Sequence, residues 1–241
     1  MQSTSDLTRA LERPSYSNEL YDHLAAFGLR PSHEILELGC GDGRATYPLI
    51  CNGFRVRGID TDDEALERAR RAIPEGRWEH ARAEQLPLPD ACVDAVLSAQ
   101  AFHRFDRAAA MREVLRVLRP GGMVAIWWKY PMYDDLSRTE GEAALRELGV
   151  EPPSYWLTSG FKEFYAAQFS DHVLRVLPWR VAATVDEILE REASRREIRD
   201  LFRGNPRPYL DALRARLESK RSGSTWITVA YLQYLYLGRK P

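Results

Sequence analysis

Cysteine is scarce in this chain. Only Cys40, Cys51 and Cys92 occur in 241 residues, without a C-x-x-C pair or an even-numbered framework. A disulfide scaffold is thereby disfavoured, and the expectation is small buried residues in a reducing compartment. An excess of either charge is also missing, since 34 Lys and Arg face 35 Asp and Glu for a net charge of −1. The two signs are interspersed, so no electrostatic footprint for nucleic acid or for a membrane surface stands out. No run approaches the ~18 apolar residues of a membrane span, and the first residues hold no apolar signal core. A cytoplasmic protein is expected. A P-loop, an H-E-x-x-H pair, a nucleophile elbow, a metal-spaced cluster among the five histidines, internal repeats and low-complexity segments are all lacking.

What the chain does have is Ile35-Leu36-Glu37-Leu38-Gly39-Cys40-Gly41-Asp42-Gly43, an apolar strand entering a loop with glycine at alternate positions. Backbone without Cβ atoms turns sharply and approaches a small ligand closely, while the next helix offers its free N–H groups. The spacing departs from the dinucleotide fingerprint G-x-G-x-x-G. Gly39 and Gly41 fit, but Arg44 stands at the third position and the third glycine comes one residue early, at Gly43. Asp60, 21 residues after Gly39, ends the run Val56-Arg57-Gly58-Ile59-Asp60. An acid at that distance is placed to hold a ribose diol. A nucleoside-bearing ligand follows, and a pyrophosphate is disfavoured because anionic Glu37 would repel it.

The run E-L-G-C-G-D-G, with G-I-D at 58–60, A-E-Q-L-P-L-P-D at 83–90 and L-R-P-G-G at 118–122, resembles class I S-adenosylmethionine-dependent methyltransferases. Gln100-Ala101-Phe102-His103-Arg104-Phe105-Asp106, with Arg13-Pro14-Ser15-Tyr16 upstream, is similar to the small-molecule branch related to trans-aconitate methyltransferases. The likeness covers roughly residues 10–130.

Strands alternating with helices predict an α/β fold, a doubly wound sheet with ligands beyond the carboxyl ends of its strands. The resemblance implies a Rossmann-like sheet of seven strands, mostly parallel with an antiparallel last strand. Residues 1–30 are expected to form an N-terminal cap helix and 31–130 the S-adenosylmethionine-binding core. Residues 131–241 complete the sheet, with an inserted helical lid at about 184–223. Along the core, a helix is expected from about Gly43 to Cys51, kinked at Pro48. Thr61 is read as the N-cap of a capping box closed by Glu64, and Asp106 as the N-cap of a later helix. Two charged helices are expected within 185–220.

From the residues themselves, Gly39 and Gly41 let backbone approach the ligand, and Glu37, an acid in an apolar strand, needs a partner to offset its desolvation. Asp60 is a bidentate acceptor for two adjacent hydroxyls. The resemblance implies that Glu37 faces the cofactor ammonium, that Ala99 and Gln100 offer it a backbone carbonyl, and that Thr61 flanks the adenine. It further implies that Ala83 and Glu84 read the adenine edge, with Arg82 where many relatives have aspartate, and that Arg13 and Tyr16 close the site from water. His103, beyond the fourth strand, is the candidate general base, with a helix-entry histidine bonded to backbone as the plain alternative. Trp127, Trp128, Tyr130 and Tyr133 are either core or the wall of an acceptor pocket. The implied reaction is methyl transfer from S-adenosylmethionine, with S-adenosylhomocysteine as product, to an O, N or C nucleophile of a small molecule. Three other readings compete. A nucleic-acid or protein acceptor is opposed by the even charge and by Ser98-Ala99-Gln100-Ala101 where amino-methylating enzymes carry Asn/Asp-Pro-Pro-Tyr. A non-catalytic binding protein stays open. A nicotinamide dehydrogenase is disfavoured by the displaced glycine.

Overall fold

The computed structural model describes residues 15–153, 160–169, 171–221 and 223–241. These fall into two compact units: the residues up to Lys129 with those of 160–177 and 233–241, and the residues of 130–153 with those of 178–232. In chain order the elements are α1 (Asn18–Ala26), β1 (Glu34–Leu38), α2 (Tyr47–Cys51), β2 (Arg55–Asp60), α3 (Asp63–Ala72), β3 (Arg77–His80) and β4 (Val93–Ala99). A 3₁₀ turn (Phe102–Arg104) precedes α4 (Arg107–Val117), β5 (Leu118–Pro131), α5 (Leu136–Glu147), α6 (Phe161–Ala166) and β6 (His172–Ala183). The chain continues with α7 (Val185–Ser194), α8 (Arg196–Leu201), α9 (Arg207–Lys220) and β7 (Ile227–Arg239).

The seven strands form one sheet in the order β3-β2-β1-β4-β5-β7-β6. The pairs β3–β2, β2–β1, β1–β4 and β4–β5 are parallel. Antiparallel pairing of β7 with β5 shows in the bonds Met132 N–H to Ala230 O and Gly121 N–H to Lys240 O. This is the mostly parallel seven-stranded α/β sheet with an antiparallel last strand that the resemblance implies.

Strands β1 and β4 are buried at nearly every position because both faces are covered. Alternation then decides which face each residue serves. Ile35, Val56, Ala95, Leu97, Ala125, Trp127, Leu235 and Leu237 pack with Tyr16, Leu20 and Leu24 of the N-terminal segment and with Ala45 and Leu49. Glu37, two residues from Ile35, therefore points among them. Ser17 caps α1 by accepting from Leu20 N–H, and Gly28, at φ +112°, follows its end.

Several local expectations change. The helix after the glycine loop starts only at Tyr47, so Pro48 lies in its first turn, where the missing N–H has no intrahelical partner to lose, and no kink arises. The N-cap of α3 is Asp62, which accepts from Ala65 N–H, and not Thr61. Pro120-Gly121-Gly122 lies within β5, where the pairing with β4 shifts register between Val93 and Ala95. Of the cysteines only Cys40 is buried; Cys51 is exposed and Cys92 intermediate.

In the second unit, α5 and three helices between β6 and β7, rather than two, surround a core containing Ala144, Ile188, Leu213, Leu217 and Val229. Asp135, nearly buried, ties the start of α5 to β7: one oxygen accepts from Ser137 N–H at 2.9 Å and the other from Ala230 N–H at 2.6 Å. Among the described residues, no helix is long and apolar enough to cross a membrane.

Candidate functional site

The carboxyl ends of β1, β2 and β4 lie side by side in the first unit and bring the glycine loop, Asp60 and Gln100 to one edge of the sheet. Gly39, Gly41 and Gly43 all have positive φ, at +66°, +56° and +77°. They differ in what surrounds them. A Cβ on Gly39 would come within 2.4 Å of Ala101 Cβ, and one on Gly43 within 2.5 Å of the Trp78 ring, whereas one on Gly41 meets nothing within 4 Å. Gly39 and Gly43 are thus needed for packing, and Gly41 fronts open space. Both alanine substitutions carry the left-handed backbone cost of about 1–2 kcal/mol. Gly39→Ala, which adds overpacking, is expected to lower stability by a further 1–3 kcal/mol or so in chemical denaturation. Gly41→Ala should remain folded with only the backbone cost, and its damage should appear in ligand affinity.

Glu37 is fully buried. Its Oε2 accepts from Thr46 Oγ1 at 2.6 Å, while Oε1 has no hydrogen-bond partner. Burial pushes its carboxyl up to about 8; Thr46 works against that rise, and Asp42 and Asp60 add to it. The expected repulsion of a pyrophosphate by anionic Glu37 therefore loses its basis at neutral pH, where the carboxyl keeps its proton. Burial likewise raises the Cys40 thiol, with Glu37 reinforcing it, so Cys40 packs and does not react.

Asp60 is already engaged. Its Oδ2 accepts from Gly41 N–H at 2.8 Å, and its Oδ1 from Thr61 N–H at 2.7 Å and Asp62 N–H at 3.0 Å. With about four lone-pair sites on a carboxylate, these three bonds take up much of its accepting capacity and leave the rest open. Thr61 itself is exposed. Glu84 is likewise committed, to Asp106 N–H at 3.1 Å and Arg82 Nε–H at 3.4 Å, which makes it a brace between its loop and α4. Ala83 beside it is buried. Near this loop a depression of about 320 Å³ is lined by His80, Ala81, Gln85, Leu86 and Pro87.

At the end of β4, Ala99 is buried and Gln100 adopts φ +57°, uncommon for a residue with a side chain. Gln100 N–H donates to Trp127 O at 2.9 Å and its side-chain amide to Lys129 O at 3.0 Å, which fixes the turn against β5. His103 is half-buried, and its Nδ1 accepts from Trp128 Nε1–H at 3.1 Å. An indole nitrogen only donates, so the neutral imidazole carries its proton on Nε2. Arg104 is exposed, Trp127 and Trp128 are core, and Tyr133 is 84% exposed.

Tyr16 is buried, its ring edge-on to Trp127 with centroids 5.7 Å apart. It packs in one cluster with Ala45 and Leu49, which follow the glycine loop, and its hydroxyl is raised by burial and then by Glu37. Arg13 lies outside the described residues. Sequence reasoning missed Thr46, which no local pattern marks, and Gln233, which a polar residue in the buried phase of β7 does signal.

A family model for a methyltransferase domain matches residues 36–126. An uncharacterized methyltransferase of Mycobacterium tuberculosis is 41% identical over 137 residues, 57% of this chain and 52% of that protein. The chain spans about half the length of this and similar curated relatives it matches. Two solved structures share the fold: a candidate type II methyltransferase from Anaeromyxobacter dehalogenans, and a phosphoethanolamine N-methyltransferase of Haemonchus contortus in complex with phosphomonomethylethanolamine and S-adenosylhomocysteine. The first has TM-score 0.69 at 24% identity, covering 94% of this chain and 97% of its own. The second has TM-score 0.56 at 18% identity, covering 95% and 53%. Residues 36–126 thus match the methyltransferase domain family, and the two solved structures share the fold of this chain.

Proposed function

We propose that the chain transfers a methyl group from S-adenosylmethionine to an oxygen, nitrogen or carbon nucleophile of a small molecule. The observation that carries this reading is the buried, unpartnered Glu37 Oε1 beside a loop whose Gly41 fronts open space. A buried acceptor without a donor costs free energy unless a ligand supplies one. An ammonium group does so, and an adenosyl amino acid brings that group together with a ribose for Asp60.

In this reading Glu37 and the backbone at Ala99 and Gln100 face the ammonium, Gly39 and Gly41 admit the chain of the cofactor, and Asp60 takes one ribose hydroxyl. The backbone at Ala83 reads the adenine edge, the depression near His80 and Leu86 lies on that side, and Tyr16 covers the site. When bound, S-adenosylmethionine supplies a methyl already activated by its sulfonium. The protein's part is alignment and exclusion of water, for which effective molarities of about 10⁵ M or more supply several kcal/mol. His103, with its proton on Nε2, can orient an acceptor by donating to it. Support for a small acceptor comes from the interspersed charges, which offer no track for a polyanion.

Calorimetric titration with S-adenosylhomocysteine and, in parallel, with NAD tests the cofactor. Binding of the first alone supports the assignment and opens a screen of acceptors with methyl-labelled S-adenosylmethionine. Binding of NAD alone, or of neither to folded protein, refutes it.

A further inference from the structure

The segment ahead of α1 is held by more than its own helix cap. Ser17 N–H donates to Gln233 Oε1 at 3.0 Å, and Gln233 Nε2–H donates back to Ser17 Oγ at 2.6 Å, both bonds fully buried. Two residues earlier, Lys129 Nζ donates to Ser15 O at 2.6 Å, and its ammonium lies 4.9 Å from the centre of the Tyr16 ring. Lys129 is in turn bonded through its carbonyl to Gln100. From the other side of the loop, Tyr21 Oη donates to Ala45 O at 2.8 Å. Ser15 and Ser17 are thereby fastened to β5 and β7, and α1 behind them to Ala45, two residues after Gly43.

Gln233 sits in the buried phase of β7, between Tyr231 and Leu235, where its neighbours of like phase are Val229 and Leu237. An apolar residue would fill that position without the desolvation cost of an amide. Nor does the helix need it, since Ser17 caps α1 by itself. What the paired bonds add is orientation: two contacts to one residue fix both the position and the rotation of the backbone on either side, including Tyr16.

We propose that Gln233 and Lys129 are positioning residues for the cofactor site, strapping Ser15–Ser17 in place so that Tyr16 covers the glycine loop. The inference rests on the methyltransferase reading above, and its effect is on how long the ligand stays. Stopped-flow displacement of S-adenosylhomocysteine tests it in the full chain, comparing wild type with Gln233→Leu, Lys129→Met, Tyr16→Ala and the Gln233→Leu/Tyr16→Ala pair. Gln233→Leu and Tyr16→Ala should each release ligand about tenfold faster or more, and the pair no faster than Tyr16→Ala alone, because both changes disable one cover. A merely structural Gln233 would instead give additive effects that track melting temperature. Release by Gln233→Leu within about twofold of wild type, or full additivity with Tyr16→Ala, overturns the proposal. If Gln233→Leu does not fold, Lys129→Met decides: faster release supports the strap and unchanged release removes it. Wild-type protein that binds no S-adenosylhomocysteine defeats the cofactor reading and the strap with it, whereas tight binding with unaltered release defeats the strap alone.

Discussion

Replacing Asp60 with alanine is expected to weaken S-adenosylhomocysteine binding by about a hundredfold. In the proposed reading the carboxylate serves the ligand twice, by accepting a ribose hydroxyl and by holding Gly41 N–H, and so the loop around it, at 2.8 Å. Hydrogen bonds to a charged acceptor contribute about 1.5–3 kcal/mol each, so losing the ligand contact and part of the loop order amounts to roughly 3 kcal/mol. Asp60→Asn should be nearly as damaging. Its single oxygen can serve either Gly41 or the Thr61 and Asp62 amides, and its NH₂ then opposes an N–H that has lost its acceptor. Calorimetry on both variants, with thermal melts to show that they remain folded, measures the effect. A loss below about threefold in the alanine variant would show that the ribose is held elsewhere.

The second large effect is set by pH and belongs to Glu37. In the unfolded chain its carboxyl ionises near the ordinary value of 4.5, whereas in the folded protein burial holds it protonated to about 8. Between those values the folded state binds one more proton than the unfolded state, so stability falls as pH rises, by about 1.4 kcal/mol per unit at most. The whole window amounts to roughly 5 kcal/mol, fully present below pH 4.5 and lost once pH passes 8. Glu37→Gln keeps the shape and cannot ionise, so the difference between wild-type and variant denaturation curves from pH 5 to 9 isolates the term. A ligand ammonium at Oε1 reverses the preference by favouring the carboxylate. Binding of S-adenosylhomocysteine should therefore release a proton near pH 7, read as a dependence of calorimetric heat on the ionisation enthalpy of the buffer, and tighten toward pH 8. The glutamine variant should show neither. A wild-type stability curve parallel to that of Glu37→Gln across this range would show that Glu37 is ionised in the folded protein.

The central strands were legible because a sheet covered on both faces leaves mostly apolar runs, broken by Glu37 in Ile35–Leu38 and by Asp94 and Ser98 in Val93–Ala99. So were Asp60 and the glycine loop, which lie within one strand-helix-strand unit. Elements decided by distant partners were not. Thr61 and Asp62 carry equally good capping oxygens, and the choice between them is made where Asp60 Oδ1 gathers both of their amides and turns the chain so that Asp62 opens the helix. Residues 118–131 run as one strand through a Pro-Gly-Gly because the far end of the chain, at Lys240, bonds to Gly121 and Gly122. Of the site residues, Glu37 was recognisable as an acid in need of a donor, but Thr46 as that donor was not. The state of His103 hangs on Trp128, 25 residues away, and no local pattern marks such a pair.

The bond between Ser17 and Gln233 joins residues 216 positions apart. Closing a loop of that size costs about 5 kcal/mol of chain entropy, which only a nearly finished sheet can offset. This contact therefore belongs to the last events of folding, and a topology weighted toward such separations folds slowly. During synthesis the opening segment must wait until β7 has left the ribosome, however early β1 and the glycine loop find their places. A nascent chain can shape the floor of its binding site long before it can hold the roof.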